Sequence, residues 1–145
     1  MVELKGEDAA FYACNLIKKF NVEDKIVISG RDLDRLRLAK RLCPSIPICL
    51  NITHCPGFDI DMLMECDRKE DLPFPIAMIS LKSYLILDDE FIKKCHSLDI
   101  LALAWNFINY RPEEAVHKMN ELIDFGIDGI LFDDVSTVSP IRKKN

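Results

Sequence analysis

Glycine is scarce in this sequence, at 5 of 145 residues, and none of the five belongs to a G-x-G-x-x-G or a G-x-x-x-x-G-K-[ST] pattern. Nucleotide binding through a glycine-rich turn at a helix start is therefore unsupported. Also absent is any apolar run near the roughly 20 residues that a membrane-spanning helix needs, and Met1-Val2-Glu3-Leu4-Lys5 carries no signal-peptide stretch. The expectation is a cytoplasmic protein without a membrane span. Excess positive charge is missing as well, since 24 acidic residues outnumber 19 basic ones for a net charge of -5. That balance leaves no basic footprint for nucleic acid or anionic lipid and favours a small soluble substrate or a protein partner.

No C-x-x-C pair occurs among the six cysteines, at positions 14, 43, 49, 55, 66 and 95. Several lie inside apolar runs such as Ile48-Cys49-Leu50, so buried reduced thiols are expected rather than disulfides. Soft ligands do cluster in sequence at His54-Cys55, Cys66 and Cys95-His96. Adjacent residues rarely chelate one metal together, and a zinc site is not the favoured reading.

What is present is a repeating unit: a short aliphatic run, a polar break, then an apolar stripe at helical spacing. This is β/α alternation within one domain spanning residues 1–145. Strands are predicted at residues 2–5, 25–29, 46–52, 76–81, 99–105 and 129–132, several of them continuously apolar, as parallel strands covered by helices should be. Between the first two, Ala9, Ala10, Ala13, Leu16, Ile17 and Phe20 share one helix face. The next helix opens at Asp32, a capping residue, and cannot continue past Pro44. Another opens at Asp88-Asp89 and carries Phe91, Ile92 and Cys95. The last has Pro112 in its first turn, the stripe Ala115, Val116, Met119, Leu122, Ile123, and Gly126 to end it. Residues 55–75 break the rhythm with three prolines and a charged run. They read as a surface excursion with a helical turn or two around Ile60, Leu63 and Met64, either a solvated connection or a lid.

Four segments carry a family resemblance. Val2-Glu3-Leu4-Lys5-Gly6 resembles the hydrophobic-E-hydrophobic-K strand of glycerophosphodiester phosphodiesterases, and the stretch from Lys25 to Asp32 resembles their following VVISSFD strand and turn. Residues 95–105 are similar to the family's AH..G..V..W passage, and residues 126–133 to its closing GVDGIITD. All four occur in the family's order. The resemblance covers the later part of a family member and implies a partial TIM (β/α) barrel with about six of eight parallel strands. The family's opening H-R-G strand, its E-x-D strand and its H-D pair have no counterpart in the sequence.

In that family a divalent cation, calcium or magnesium, polarises the phosphate while two histidines act as base and acid, hydrolysing glycerophosphodiesters to glycerol 3-phosphate and an alcohol. The resemblance assigns Glu3 as metal ligand, Lys5 as the catalytic phosphate contact and Trp105 as a substrate-binding side chain. Glu3 and Lys5 share one strand face by alternation. Read from the residues alone, the pair could equally be solubilising charges on an edge strand, and Trp105 a core residue. With Glu3 the only matching carboxylate, metal binding is expected to be weak or absent, and the chain to be inactive by itself. The sequence departs from the family where Gly30-Arg31 replaces S-F, where Trp105-Asn106-Phe107-Ile108-Asn109 replaces W-T-V-N, and where Phe132 replaces a threonine.

Of the histidines, His96 and His117 are expected on helices away from a barrel mouth, and His54, after a strand end, is the outside candidate for acid–base work. Asp133 and Asp134 end the last strand, at the mouth or as turn caps. Three functions compete: a phosphodiesterase-like domain needing the missing strands, a noncatalytic binding or assembly module, and a small α/β enzyme using His54. An open barrel would leave its two edge strands unpaired and expose the first helix's stripe, so a homo-oligomer, or pairing with the missing strands, is expected.

Overall fold

The computed structural model describes residues 1–132. Six parallel strands form one sheet in chain order: β1 Val2–Glu3, β2 Ile28–Gly30, β3 Ile48–Asn51, β4 Met78–Lys82, β5 Leu101–Trp105 and β6 Gly129–Ile130. Sequential order with every neighbour parallel is the topology of a curled (β/α) half-barrel. Helices α1 Ala9–Phe20, α2 Leu33–Leu42, α3 Ile60–Glu65, α4 Glu90–Ser97 and α5 Pro112–Phe125 connect and cover the strands.

The capping residue Asp32 acts where the sequence places it, whereas Asp89 precedes α4 without a side-chain cap bond. Asp32 accepts a hydrogen bond from the Arg35 N–H at 3.0 Å, which starts α2. Asp59 does the same for the Met62 N–H, opening α3. Pro112 occupies the first turn of α5, and Gly126 ends it at φ 95°, a left-handed conformation that glycine adopts without steric cost. The strand ladders are shorter than the apolar runs suggest. Residues 25–29 contribute only from Ile28 onward, because Glu23–Lys25 is a 3₁₀ turn closed by Lys25 N–H donating to the Val22 carbonyl.

Period-two alternation separates two faces. On the convex face Leu4, Ile28, Ile48, Leu50, Ile79, Leu81, Ala102 and Ala104 are buried in one core with Cys14, Leu36, Ile92 and Met119 from the helices. Each such leucine, isoleucine or methionine side chain contributes roughly 1.5–3 kcal/mol by leaving water. The concave face is mixed: Glu3, Ser29, Asn51, Ser80, Lys82 and Trp105 alternate with the core residues along their strands.

Two expectations need correction. Helix α1 buries Ala10, Cys14 and Ile17, whereas Leu16 and Phe20 stand exposed beside Phe11 and Tyr12. Its core-facing side is rotated toward α2, where the Cys14 thiol donates to the Ala39 carbonyl at 3.7 Å. The excursion is not a solvated connection, since Phe58, Leu63, Cys66 and Leu72 are buried in the core. Lys69 then ties it to the start of β5, bonding both the Asp99 carbonyl and carboxylate at 2.9 and 3.0 Å. Among the described residues no helix is long and apolar enough to cross a membrane.

Candidate functional site

At the C-terminal ends of the strands a cavity of about 390 Å³ opens on the concave face. That is within the size range of small-molecule sites. Parallel strands deliver its walls in register: Glu3 lies opposite Ser29 and Asn51 opposite Ser80, while Lys82, paired with the lining residue Trp105, is not itself in the wall. Lys5 and Arg31 line it from the loops that follow β1 and β2, and Leu131 and Phe132 from beyond β6. The three residues singled out in the sequence, Glu3, Lys5 and Trp105, all line this one cavity.

Charge at the mouth is unevenly matched. The Glu3 carboxylate sits 3.0 Å from the Lys5 ammonium and 3.9 Å from the Arg31 guanidinium. These pairs are largely exposed, so solvent screens them and they contribute little to stability. Arg31 and Lys82 both approach the Trp105 ring, with Cζ 5.8 Å and Nζ 5.4 Å from its centroid, within the range of a cation–π contact. Among the described residues no carboxylate lies within ion-pair distance of Lys82.

Backbone bonds fix these side chains in place. Lys82 N–H donates to Thr53 Oγ1 at 3.1 Å, and Thr53 N–H to Asn51 Oδ1 at 3.0 Å, which ties the ends of β3 and β4 together. After Trp105 the chain turns through Asn106 at φ 67°, a left-handed position that asparagine tolerates. The buried Ser83 hydroxyl donates to the Asn106 carbonyl at 3.2 Å and holds that turn. Arg35, from α2, donates to the Lys5 carbonyl at 3.4 Å and anchors the end of the β1 loop. The Trp105 indole Nε1–H is shut off from solvent and has no acceptor among the described residues. An unmet buried donor costs about 1–3 kcal/mol.

A resident divalent cation does not fit this donor set. Calcium takes about six to eight oxygen ligands and magnesium about six, yet Glu3 is the only carboxylate lining the cavity among the described residues, and cations flank it. No group of three or more His, Cys, Asp or Glu side chains among the described residues is arranged to hold a metal ion. Asp133 and Asp134 lie outside the described residues.

The histidines stand apart. His54, at φ 57°, lines a neighbouring cleft with Arg31, Asp32 and Arg35 rather than the mouth. Cys55 beside it is buried, and burial pushes its thiol pKa up, away from a reactive thiolate. His96 pairs with Asp128 at 2.8 Å, at the opposite end of the sheet. All six cysteines are free and buried. Burial raises Cys49, beneath the mouth, to about 11, and Cys14 and Cys95 to about 12. Sequence reasoning missed Lys82 because it sits one residue past the predicted strand, although period two counted on from Ser80 reaches it. Arg31 drew notice only as a departure from the family pattern.

Comparison with solved structures places this architecture. A protein of Silicibacter pomeroyi described as a glycerophosphoryl diester phosphodiesterase matches with a TM-score of 0.72 and 16% identity, over 94% of this chain and 47% of its own. A glycerophosphodiester phosphodiesterase of Parabacteroides distasonis matches at 0.64 and 20%, over 87% and 46%. These matches establish a shared fold. A truncated 3-deoxy-D-arabino-heptulosonate 7-phosphate synthase of Thermotoga maritima, at 0.54 and 10% identity over 90% and 47%, has it too. One strand arrangement thus carries different chemistries, and function has to be argued from the mouth. The chain spans about half the length of the structures it matches. No family model matches the sequence, and no curated protein matches it.

Proposed function

We propose that this half-barrel is a phosphodiesterase-like domain that binds a small glycerophosphodiester at the strand mouth and does not hydrolyse it by itself. The observation that carries the reading is the convergence of Glu3, Lys5 and Trp105 on one cavity at the C-terminal strand ends, where active sites of such barrels are built. Lys5 offers a positive charge for a nonbridging phosphate oxygen, and Trp105 an apolar wall for the organic part. Hydrolysis further requires an activated attacking hydroxyl and a proton for the departing alkoxide. Among the described residues no histidine lines the cavity to do either.

The test is titration of glycerophosphocholine into the chain, followed through the fluorescence of its single tryptophan, beside an assay for released choline. Saturable binding without turnover is the expected result. Turnover abolished by Lys5→Ala would overturn the inactive reading, and absence of any binding would overturn the site. Titrated calcium or magnesium should bind weakly, and submicromolar affinity in calorimetry would count against a single carboxylate ligand.

A second reading, an assembly module, is favoured by one observation. Phe11, Tyr12, Leu16 and Phe20 are each at least half exposed on α1, next to the edge strand β1. Neither β1 nor β6 has an outer neighbour among the described residues. Such edges invite pairing with a second copy or with added strands. Sedimentation at tens of micromolar separates the readings: a cooperatively unfolding monomer argues against assembly.

A further inference from the structure

We infer that the mouth is a metal-independent site for a dianionic phosphate monoester, recognised by Lys5, Arg31 and Lys82 around Trp105. The inference rests on the reading that the mouth takes a phosphate ester, and adds the charge state of that ester and two residues that select it.

Charge carries the argument. Lys5 and Arg31 line the cavity beside its one carboxylate, Glu3, and Lys82 adds a third cation against the Trp105 ring without lining the cavity, which leaves two positive charges in and beside the mouth among the described residues. A phosphate monoester carries close to two negative charges at pH 7, its second pKa being about 6, whereas a diester carries one. Two of the three donors are also uncommitted among the described residues. Arg31 is 3.9 Å from Glu3, beyond hydrogen-bond reach, so its planar fork remains free to grip two phosphate oxygens at once. Among the described residues the Lys82 ammonium approaches only the rings of Tyr84 and Trp105, at 5.6 and 5.4 Å from their centroids. On the wall, Asn51 commits its Oδ1 to the Thr53 N–H and keeps its amide NH₂ as a donor.

The same geometry disfavours the metal that the related barrels would use. A divalent cation beside Glu3 would meet Lys5 at 3.0 Å from that carboxylate and Arg31 at 3.9 Å, both of its own sign. The cations instead do what the metal would do for a phosphate, neutralising its nonbridging oxygens. Trp105, with cations at its ring and its Nε1–H lacking an acceptor, is the contact surface for the ester's organic group.

The experiment is calorimetry on the full chain in EDTA, with glycerol 3-phosphate and glycerophosphocholine as paired ligands. The monoester should bind on the order of tenfold more tightly than the diester, because it gains charge-assisted contacts. Arg31→Ala and Lys82→Ala should each weaken monoester binding by about tenfold and shrink the preference. Arg31→Gln and Lys82→Gln serve as the test if either alanine variant fails to fold. Equal affinity for the two esters, a requirement for added calcium or magnesium, or folded variants that bind like the parent would each overturn the inference. Diester binding without monoester preference leaves the proposed function standing while removing this inference. Binding of neither ligand removes both.

Discussion

The two ends of the strand sheet use charge in opposite ways. At the N-terminal end several charged groups near strand starts are engaged by the fold. The Asp128 carboxylate takes the Ala102 N–H at 2.7 Å and His96 at 2.8 Å, joining α4, β5 and the approach to β6. Lys69 grips Asp99, and Lys40 donates to the Ile46 carbonyl just before β3 at 2.8 Å. At the C-terminal end Lys5 and Arg31 flank the Glu3 carboxylate, Arg31 and Lys82 approach the Trp105 ring, and Lys82 has no ionic partner among the described residues. The difference is between charges matched within the fold, which hold strands, and surplus charges at the mouth, which the proposed ester would meet.

The broadest way to break this contrast is to unsettle the core that both ends share. Cys14, Cys49 and Cys95 have thiol pKa values raised by burial to between about 11 and about 12, against 9.0 for the free group. Above pH 9 the unfolded chain loses these protons while the folded one keeps them, so stability should fall steadily from pH 9 toward 12. Below pH 9 both states hold the protons, and these thiols contribute no pH dependence. Chemical unfolding midpoints at pH 8 and pH 10 check this, and an unchanged midpoint would refute it.

Asp128→Ala sharpens the contrast at the N-terminal end. It strands the Ala102 N–H and releases His96, and should cost about 1–3 kcal/mol in urea unfolding while leaving ligand affinity at the mouth unchanged. Loss of binding in a folded Asp128→Ala protein would show that the two ends are coupled. Asp32→Ala probes the border between them, because Asp32 caps α2 and also contacts Arg35, which anchors the Lys5 carbonyl. A loss of about 1 kcal/mol is expected from the cap alone, together with weaker ester binding. The smallest effect belongs to the mouth: removing Lys5, Arg31 and Lys82 together should shift stability by no more than about 0.5 kcal/mol per site. A large destabilisation would mean that these cations serve the fold after all.

Much of the framework is legible in the sequence because it depends on local signals. The apolar runs of β3, β4 and β5, the cap at Asp32, and the Pro112 and Gly126 brackets around α5 each act within a few residues. The rotation of α1 was not legible. Its stripe includes Leu16 and Phe20 by spacing, but the face that is buried is chosen by what α2 offers opposite, and Cys14 meets Ala39 there. The burial of the 55–75 segment was hidden for the same reason, since its tie is Lys69 to Asp99, 30 residues apart.

The site divides along the same line. Alternation and resemblance together put Glu3 and Lys5 on one face and Trp105 at a strand end, and the cavity contains all three. What the sequence by itself determined is which segments become strands and helices, because propensity, capping and period-two or helical spacing are set by near neighbours. Only the tertiary structure decided that Arg31 and Lys82 meet at Trp105, and that among the described residues Glu3 faces cations rather than further carboxylates. Those meetings depend on the parallel register, which aligns Glu3 with Ser29 and Lys82 with Trp105 across gaps of more than twenty residues. Register is fixed by packing of the whole apolar face against its helices, a sum over the core that no local stretch of sequence contains.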